Sequence, residues 1–201
     1  TGFVMIGQHQ FLPKSKWDQN KVFQDMLDWN HKGLGVKNED MTFHEDAWAG
    51  GGNLGPCIEM FSRDCEVWNQ VYMLYEQTPK GVQDLKLKVL DMGMGMERAA
   101  WFSQGSPTIY DAVFPTVLKK LKSKTGMKID KKLLQRYVPH GGQLNNDEVE
   151  DMNKAWKKVA KLVEVDVKEL RQMILPLSRI YSIGEHMRSA LIVLNDGGLP
   201  S

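Results

Sequence analysis

Cysteine is almost absent. Two thiols, Cys57 and Cys65, stand in 201 residues, too few for the disulfide framework of a small secreted domain, and their spacing fits no common zinc motif. A reducing, intracellular setting follows, and the cytoplasm is the expected location. Long apolar runs are missing too; none nears the ~20 residues that a membrane-spanning helix requires. No membrane partner is therefore expected. The opening TGFVMIGQHQ has no basic segment leading into an apolar stretch, so no secretory signal is read there. It also lacks an initiator methionine, and the expectation is a chain that begins inside a longer protein. Metal-type histidine patterns are absent: His9, His31, His44 and His140 are not paired at ligand spacing and read as surface or internally satisfied side chains. Net charge is only +1, which says nothing about partners.

What is present is ordinary globular composition, with 42% hydrophobic and 25% charged residues, enough for a sizeable core. The halves differ. The first is rich in glycine and aromatics, the second in Lys, Glu and Leu, with Trp156 the sole tryptophan after Gly105. Eight Lys/Arg and a single acid, Asp130, lie between Lys119 and Arg136; the sign reverses between Asn145 and Asp151.

Periodicity organises the chain. Val22, Phe23, Met26, Leu27 and Trp29 recur at helical steps, with Gly33 or Gly35 as the stop. EDMTFHEDAW reads as a strand, and AGGGNLGP (49–56) as a loop because of its glycines. EVWNQVYMLY (66–75) reads as a central strand, apolar on both faces. DLKLKVLD (84–91) alternates, which predicts a strand with Leu85, Leu87, Val89 and Asp91 on a buried face and Lys86 and Lys88 opposite. A helix is expected from about Met96 to Ser103. Further helices are expected at Tyr110–Lys124, Lys131–Tyr137, Asp147–Val163, Val167–Leu175 and Leu177–Leu194, with VPHGGQLNN (138–146) as a loop. A boundary near Gly105 divides a β-rich part from an all-helical one.

The stretch LDMGMGMERAAW (90–101) carries the sharpest chemical signal. Glycine lets a backbone lie flat against a ligand because no Cβ intervenes. Arg98 follows, and its planar guanidinium stacks on a purine or meets a phosphate. One reading is a nucleotide seat. The other is a tight strand-to-helix turn, with Met94 and Met96 as core filler.

GMGMER resembles motif 3 of the class II aminoacyl-tRNA synthetases. DAWAGGGNLGPCIE, EVWNQVYM, DMGMGMERAAWFSQGSPTIYDA and EHMRSALIVLNDGGLPS, in this order, resemble the archaeal-type alanyl-tRNA synthetase family, from the first residue to the last. The resemblance implies an α+β fold, a class II synthetase-like antiparallel sheet with flanking helices followed by an all-helical domain. Residues 1–105 would be a partial catalytic core, after motif 1 and through motif 3, and 106–201 a helical region that recognises the tRNA acceptor stem. It implies a ligase of protein biosynthesis: ATP and alanine give alanyl-adenylate, and the alanyl group moves to the 3′ end of tRNA(Ala).

The same resemblance assigns roles. Arg98 would lie against the adenine and triphosphate of ATP, with Gly93 and Gly95 lining that seat. Gly93 would also leave room only for a small amino-acid side chain. Asp91 would hold the α-amino group of alanine, a carboxylate facing an ammonium; its alternative is a helix N-cap. Glu66 would hold Mg²⁺ bridging the ATP phosphates, and Asn69 would reach the substrate carboxyl end, against the alternative of a buried, hydrogen-bonded amide. Residues three apart on a flat strand face opposite sides, so either a bulge turns one of them or only one lines the site. Trp48 would wall the alanine pocket, against the alternative of plain core packing, and Glu59 would contribute to the ATP and metal region. The basic run would meet tRNA phosphates, against the alternative of a solvated helix face. Arg188 would contact RNA, with His186 as a structural partner.

Departures from the family pattern are visible. The motif 2 arginine falls before Thr1, and Val4 stands where the family has glutamate. The family's asparagine after Pro-Ser lies beyond Ser201. No H-x-x-x-H or C-x-x-x-H editing pair occurs. The alternative is therefore a non-catalytic tRNA-binding or scaffold paralogue that kept the fold.

Overall fold

The computed structural model describes residues 2–145 and 148–199. The expected helix start at Asp147 and the terminal Pro200-Ser201 lie outside the described residues. The chain forms two compact units, residues 3–99 and residues 100–201 with the first two residues.

The first unit is a five-stranded sheet built from β1 (Met5–Pro13), β2 (Thr42–Gly50), β3 (Asn53–Ser62), β4 (Cys65–Thr78) and β5 (Gly81–Gly95). Its spatial order is β1-β5-β4-β3-β2, and every neighbouring pair is antiparallel. Helix α1 (Gln19–Asp28) starts where the Asp18 side chain accepts the Lys21 N–H at 3.0 Å, an N-cap that satisfies an otherwise orphaned donor. A wider turn over Trp29–Leu34 then ends at Gly35, whose φ of 70° suits glycine.

One face of this sheet is the core. Met26 of α1 packs with Met60, Val67, Trp68, Met92 and Met94, and Val22 with Tyr72 and Leu90. The polar groups buried there are paired. Trp68 Nε1 donates to Asn30 Oδ1 at 2.8 Å, and the Tyr72 hydroxyl donates to Gln70 Oε1 at 2.5 Å.

Three local expectations are corrected. The stretch 49–56 is not a loop. Gly51 and Gly52, at φ 58° and 86°, form a tight hairpin turn, and β3 already begins at Asn53. Gly55 sits inside that strand because a Cβ there would fall 1.8 Å from the Tyr72 carbonyl oxygen. Second, β5 buries the face opposite to the expected one: Lys88, Leu90, Met92 and Met94 are inward, and Leu87 is half exposed. Pairing with β4 jumps from Val89 to Asp84 as β4 passes from Met73 to Tyr75, an irregularity that short-range alternation does not register. Lys88 is accommodated by donating to the Leu74 carbonyl at 2.6 Å, with Asp84 3.4 Å away. Third, β5 does not stop at Asp91 before a glycine turn. It runs straight through Gly93 and Gly95 into α2 (Met96–Gln104).

The second unit is helical: α3 (Ile109–Val113), α4 (Pro115–Thr125), α5 (Lys131–Tyr137), α6 (Met152–Val163) and α7 (Val167–Asn195). Its core gathers Leu118, Leu133, Trp156, Val159, Val163, Leu170, Ile174 and Leu177. The single helix expected over 110–124 is broken at Phe114, because Pro115 takes the first position of a new helix. Conversely, the break expected near Pro176 is absent, and α7 continues through it. Pro176 is exposed between buried Ile174 and Leu177, and packing on both sides outweighs the backbone hydrogen bond that proline cannot donate. The loop expected over 138–146 is a tight 3₁₀ segment, Val138–Leu144.

Candidate active site

The second face of the sheet collects the polar side chains. Directly opposed residues of antiparallel strands share a face, so the registers define two rows. His9, Asp91, Val71, Cys57 and Asp46 form one row, and Gly7, Gly93, Asn69, Glu59 and His44 form the next. Trp48 lies one step beyond Asp46, with its ring folded back over Gly50.

Glu66 joins this face through a bulge. Met60 opposes Trp68, yet its neighbour Phe61 opposes Glu66, so β4 carries one extra residue at Val67. Val67 and Trp68 both enter the core, which leaves Glu66 and Asn69 on the same side. Of the two options open in the sequence, the structure takes the bulge.

Arg98, in the first turn of α2, closes onto that carboxylate. Its Nη1 lies 2.9 Å from Glu66 Oε2 and 2.9 Å from the Glu66 carbonyl oxygen. Gly95 leaves the backbone beside it bare, since an added Cβ would meet only Arg98 Cβ at 3.5 Å and Phe3 at 4.0 Å. Over Gly93 the space is taken by the Met5 thioether, 2.6 Å from where a Cβ would stand. Methionine is the most easily displaced of the large apolar side chains.

Two histidines, read from the sequence as surface or internally satisfied side chains, are hydrogen-bonded on this face. His9 Nε2 lies 2.9 Å from Asp91 Oδ1. His44 Nδ1 lies 3.2 Å from Glu59 Oε2, and Asn69 Nδ2 donates to Glu59 Oε1 at 3.3 Å. The Asn69 Oδ1 atom is buried and takes no hydrogen bond. No local sequence signal links these pairs, because each is made by strand register rather than by spacing. Burial pushes the Cys57 thiol up, with Asp46 and Glu59 adding to it, so it stays a neutral, inert thiol.

Among the described residues no group of three or more His, Cys, Asp or Glu side chains gathers to hold a metal ion. The donor set is the lone Glu66 carboxylate with its Arg98 partner. That suits a Mg²⁺ that keeps its waters and takes its other ligands from phosphates, and does not suit an all-protein cage.

In the helical unit the basic run divides. Lys119, Lys120, Lys124, Lys128, Lys131, Lys132 and Arg136 are exposed. Lys122 is engaged internally, 3.4 Å from Asp111 and over the Tyr181 ring. Arg188 donates to the Gly2 carbonyl and lies over Phe114, and His186 contacts Glu185. No helix among the described residues is long and apolar enough to cross a membrane.

The sheet face thus carries Gly93 and Gly95 of β5 beside a Glu66–Arg98 ion pair at the start of α2. The chain belongs to the family described as tRNA synthetases class II (A), whose profile matches residues 1–201. Among curated proteins it is 45% identical over 204 residues to the alanine–tRNA ligase of Methanocella arvoryzae, covering all of this chain and 23% of that protein. It is 36% identical to the alanine–tRNA ligases of Methanococcus maripaludis and Pyrococcus abyssi, over 23% and 24% of their lengths. The chain thus spans about a quarter of the length of these relatives. A solved pyrrolysyl-tRNA synthetase from Desulfitobacterium hafniense overlays 56% of this chain and 37% of its own at a TM-score of 0.37 and 13% identity, too loosely to bear on the site.

Proposed function

We propose that this chain supplies the amino-acid- and ATP-binding sheet, and a tRNA-binding helical region, of a cytoplasmic alanine–tRNA ligase. Residues 1–105 are its part of the catalytic core and 106–201 its acceptor-stem region. The observation that carries the reading is the shared sheet face. Glu66, Asn69, Asp91, Gly93 and Gly95 all lie on it, with Arg98 joined to Glu66. The similarity to alanine–tRNA ligases along the whole chain supports it.

Each residue has a physical task. The Asp91 carboxylate offers charge-assisted hydrogen bonds to the α-ammonium of alanine. Gly95 lets substrate lie close to the backbone, and Gly93 does so once the flexible Met5 side chain moves aside. Trp48 walls the alanine side. Arg98 supplies positive charge where the α-phosphoryl group gains negative charge during adenylation, and fixed charge of this kind costs no reorganisation in the transition state. Asn69 Nδ2 donates to Glu59 and its Oδ1 is buried, so its amide must turn before it can meet a substrate. Its amide N–H is then the group that would reach the substrate carboxyl end, since a carboxylate only accepts hydrogen bonds. Mg²⁺, when bound, would neutralise phosphate charge, and Glu66 is the residue that would hold it.

The test is alanine-dependent ATP–pyrophosphate exchange by the full-length gene product, followed by transfer to tRNA(Ala). Exchange lost in Asp91→Ala supports the reading. Absence of exchange with retained tRNA binding would establish the non-catalytic paralogue instead.

A further inference from the structure

We propose that His9 is a positioning residue for the substrate ammonium, acting through Asp91. This rests on the role proposed above for Asp91. The two residues are direct cross-strand partners of β1 and β5, and their side chains meet at 2.9 Å. A carboxylate oxygen accepts hydrogen bonds, so the imidazole donates its Nε2–H to Oδ1. That bond takes Oδ1. No other side-chain hydrogen bond reaches Asp91 among the described residues, which leaves Oδ2 to take a second donor. With Asp91 at 42% exposure, a carboxylate lacking such a tether turns broadly about its last torsion. The imidazole removes that freedom before the ligand arrives, and a preorganised acceptor spends less of the binding energy on ordering.

A second observation shows that the ring's place is shaped. A Cβ at Gly7 would stand 2.8 Å from His9 Cε1 and 3.3 Å from the Met92 carbonyl oxygen. The ring leans back along β1 into space that exists only because residue 7 has no side chain. From there it reaches Asp91 on the flank nearest Gly93, which opposes Gly7. A contact between side chains this exposed contributes little to stability, so the geometry of Asp91 is what it changes.

The test is steady-state exchange by the full-length gene product with His9→Phe, His9→Gln and Gly7→Ala. Gln keeps a donor near the Nε2 position, whereas Phe keeps only the ring. His9→Phe is expected to raise the KM for alanine about tenfold, the scale of one hydrogen bond to a charged group. The KM for ATP and kcat should stay within about twofold of wild type. His9→Gln should restore the alanine KM to near wild type, and Gly7→Ala should raise it in the same direction as Phe. An unchanged alanine KM in His9→Phe, or a Gln variant as impaired as Phe, would overturn the proposal. So would an effect falling equally on ATP. Should His9→Phe fail to fold, the Gln and Gly7→Ala variants decide by the same readout. A wild-type protein without alanine-dependent exchange would instead overturn the ligase reading, and this role with it.

Discussion

Arg98 grips Glu66 twice with one nitrogen, through the carboxylate and through the backbone carbonyl, each at 2.9 Å. The first contact is an ion pair between side chains 45% and 32% exposed; the second ties the start of α2 to β4 whatever the state of the carboxylate. A guanidinium can hold both and still present its remaining N–H groups outward, which an ammonium cannot do in a fixed plane.

Arg98→Lys should therefore separate stability from function. A partly exposed pair of this kind contributes at most about 1 kcal/mol and is screened by salt, so the unfolding midpoint should move little. Loss of a preorganised positive donor at a phosphoryl group costs on the order of 10²-fold in rate. Urea unfolding set beside exchange kinetics checks this, and a large stability loss with intact exchange would contradict it.

The glycines make a sharper contrast. Gly55→Ala should destabilise by more than about 3 kcal/mol, because the new Cβ would sit 1.8 Å from a backbone oxygen that cannot withdraw. Gly95→Ala should cost less than about 1 kcal/mol, since its Cβ would meet ordinary contacts at 3.5 Å and beyond. Yet it places a methyl group against the proposed adenylate seat, and should lower exchange while the fold survives. Thermal unfolding and exchange on both variants are the check. Full activity in a stable Gly95→Ala protein would remove Gly95 from the site.

These residues also show what was legible in the sequence. The helix over 19–28, the central strand β4 and the helix Lys131–Tyr137 follow from periodicity and caps, which are local properties. The inward face of β5 was not legible, because the irregular β4 pairing sets it and an alternating run of Leu and Lys fits either face. The resemblance picked out Asp91, Asn69 and Glu66 one at a time. Their common face depends on a single extra residue at Val67, and the partnership of His9 with Asp91 depends on strand register. Neither leaves a mark in sequence spacing.

The exposed lysines of α4 and α5 give a prediction for RNA. Replacing Lys131 and Lys132 by Gln should weaken tRNA binding and reduce the slope of log affinity against log salt by about one unit for each phosphate no longer neutralised. Lys122→Gln should act on stability instead, since its ammonium serves Asp111 and the Tyr181 ring. Filter binding across a salt series distinguishes the two. A slope unchanged by the double replacement would make this face a merely solvated one.

Tyr72 sets an alkaline limit on the first unit. Burial pushes its hydroxyl up to about 12 from an ordinary value near 10, and in the fold that hydroxyl donates to buried Gln70. The folded chain therefore keeps a proton that the unfolded chain releases, and the sign follows from linkage. The contribution is fully present below pH 10 and is lost as pH rises from about 10 to about 12. Tyr137 and Tyr181 are raised by burial as well. Absorbance at alkaline pH should thus resolve a late group of tyrosines that ionises only as the fold is lost. Tyr72→Phe should flatten the fall in unfolding midpoint across that interval, while lowering stability at neutral pH because Gln70 loses a buried partner. If the mutant and wild-type midpoints fall in parallel above pH 10, Tyr72 is not the group that senses the alkali.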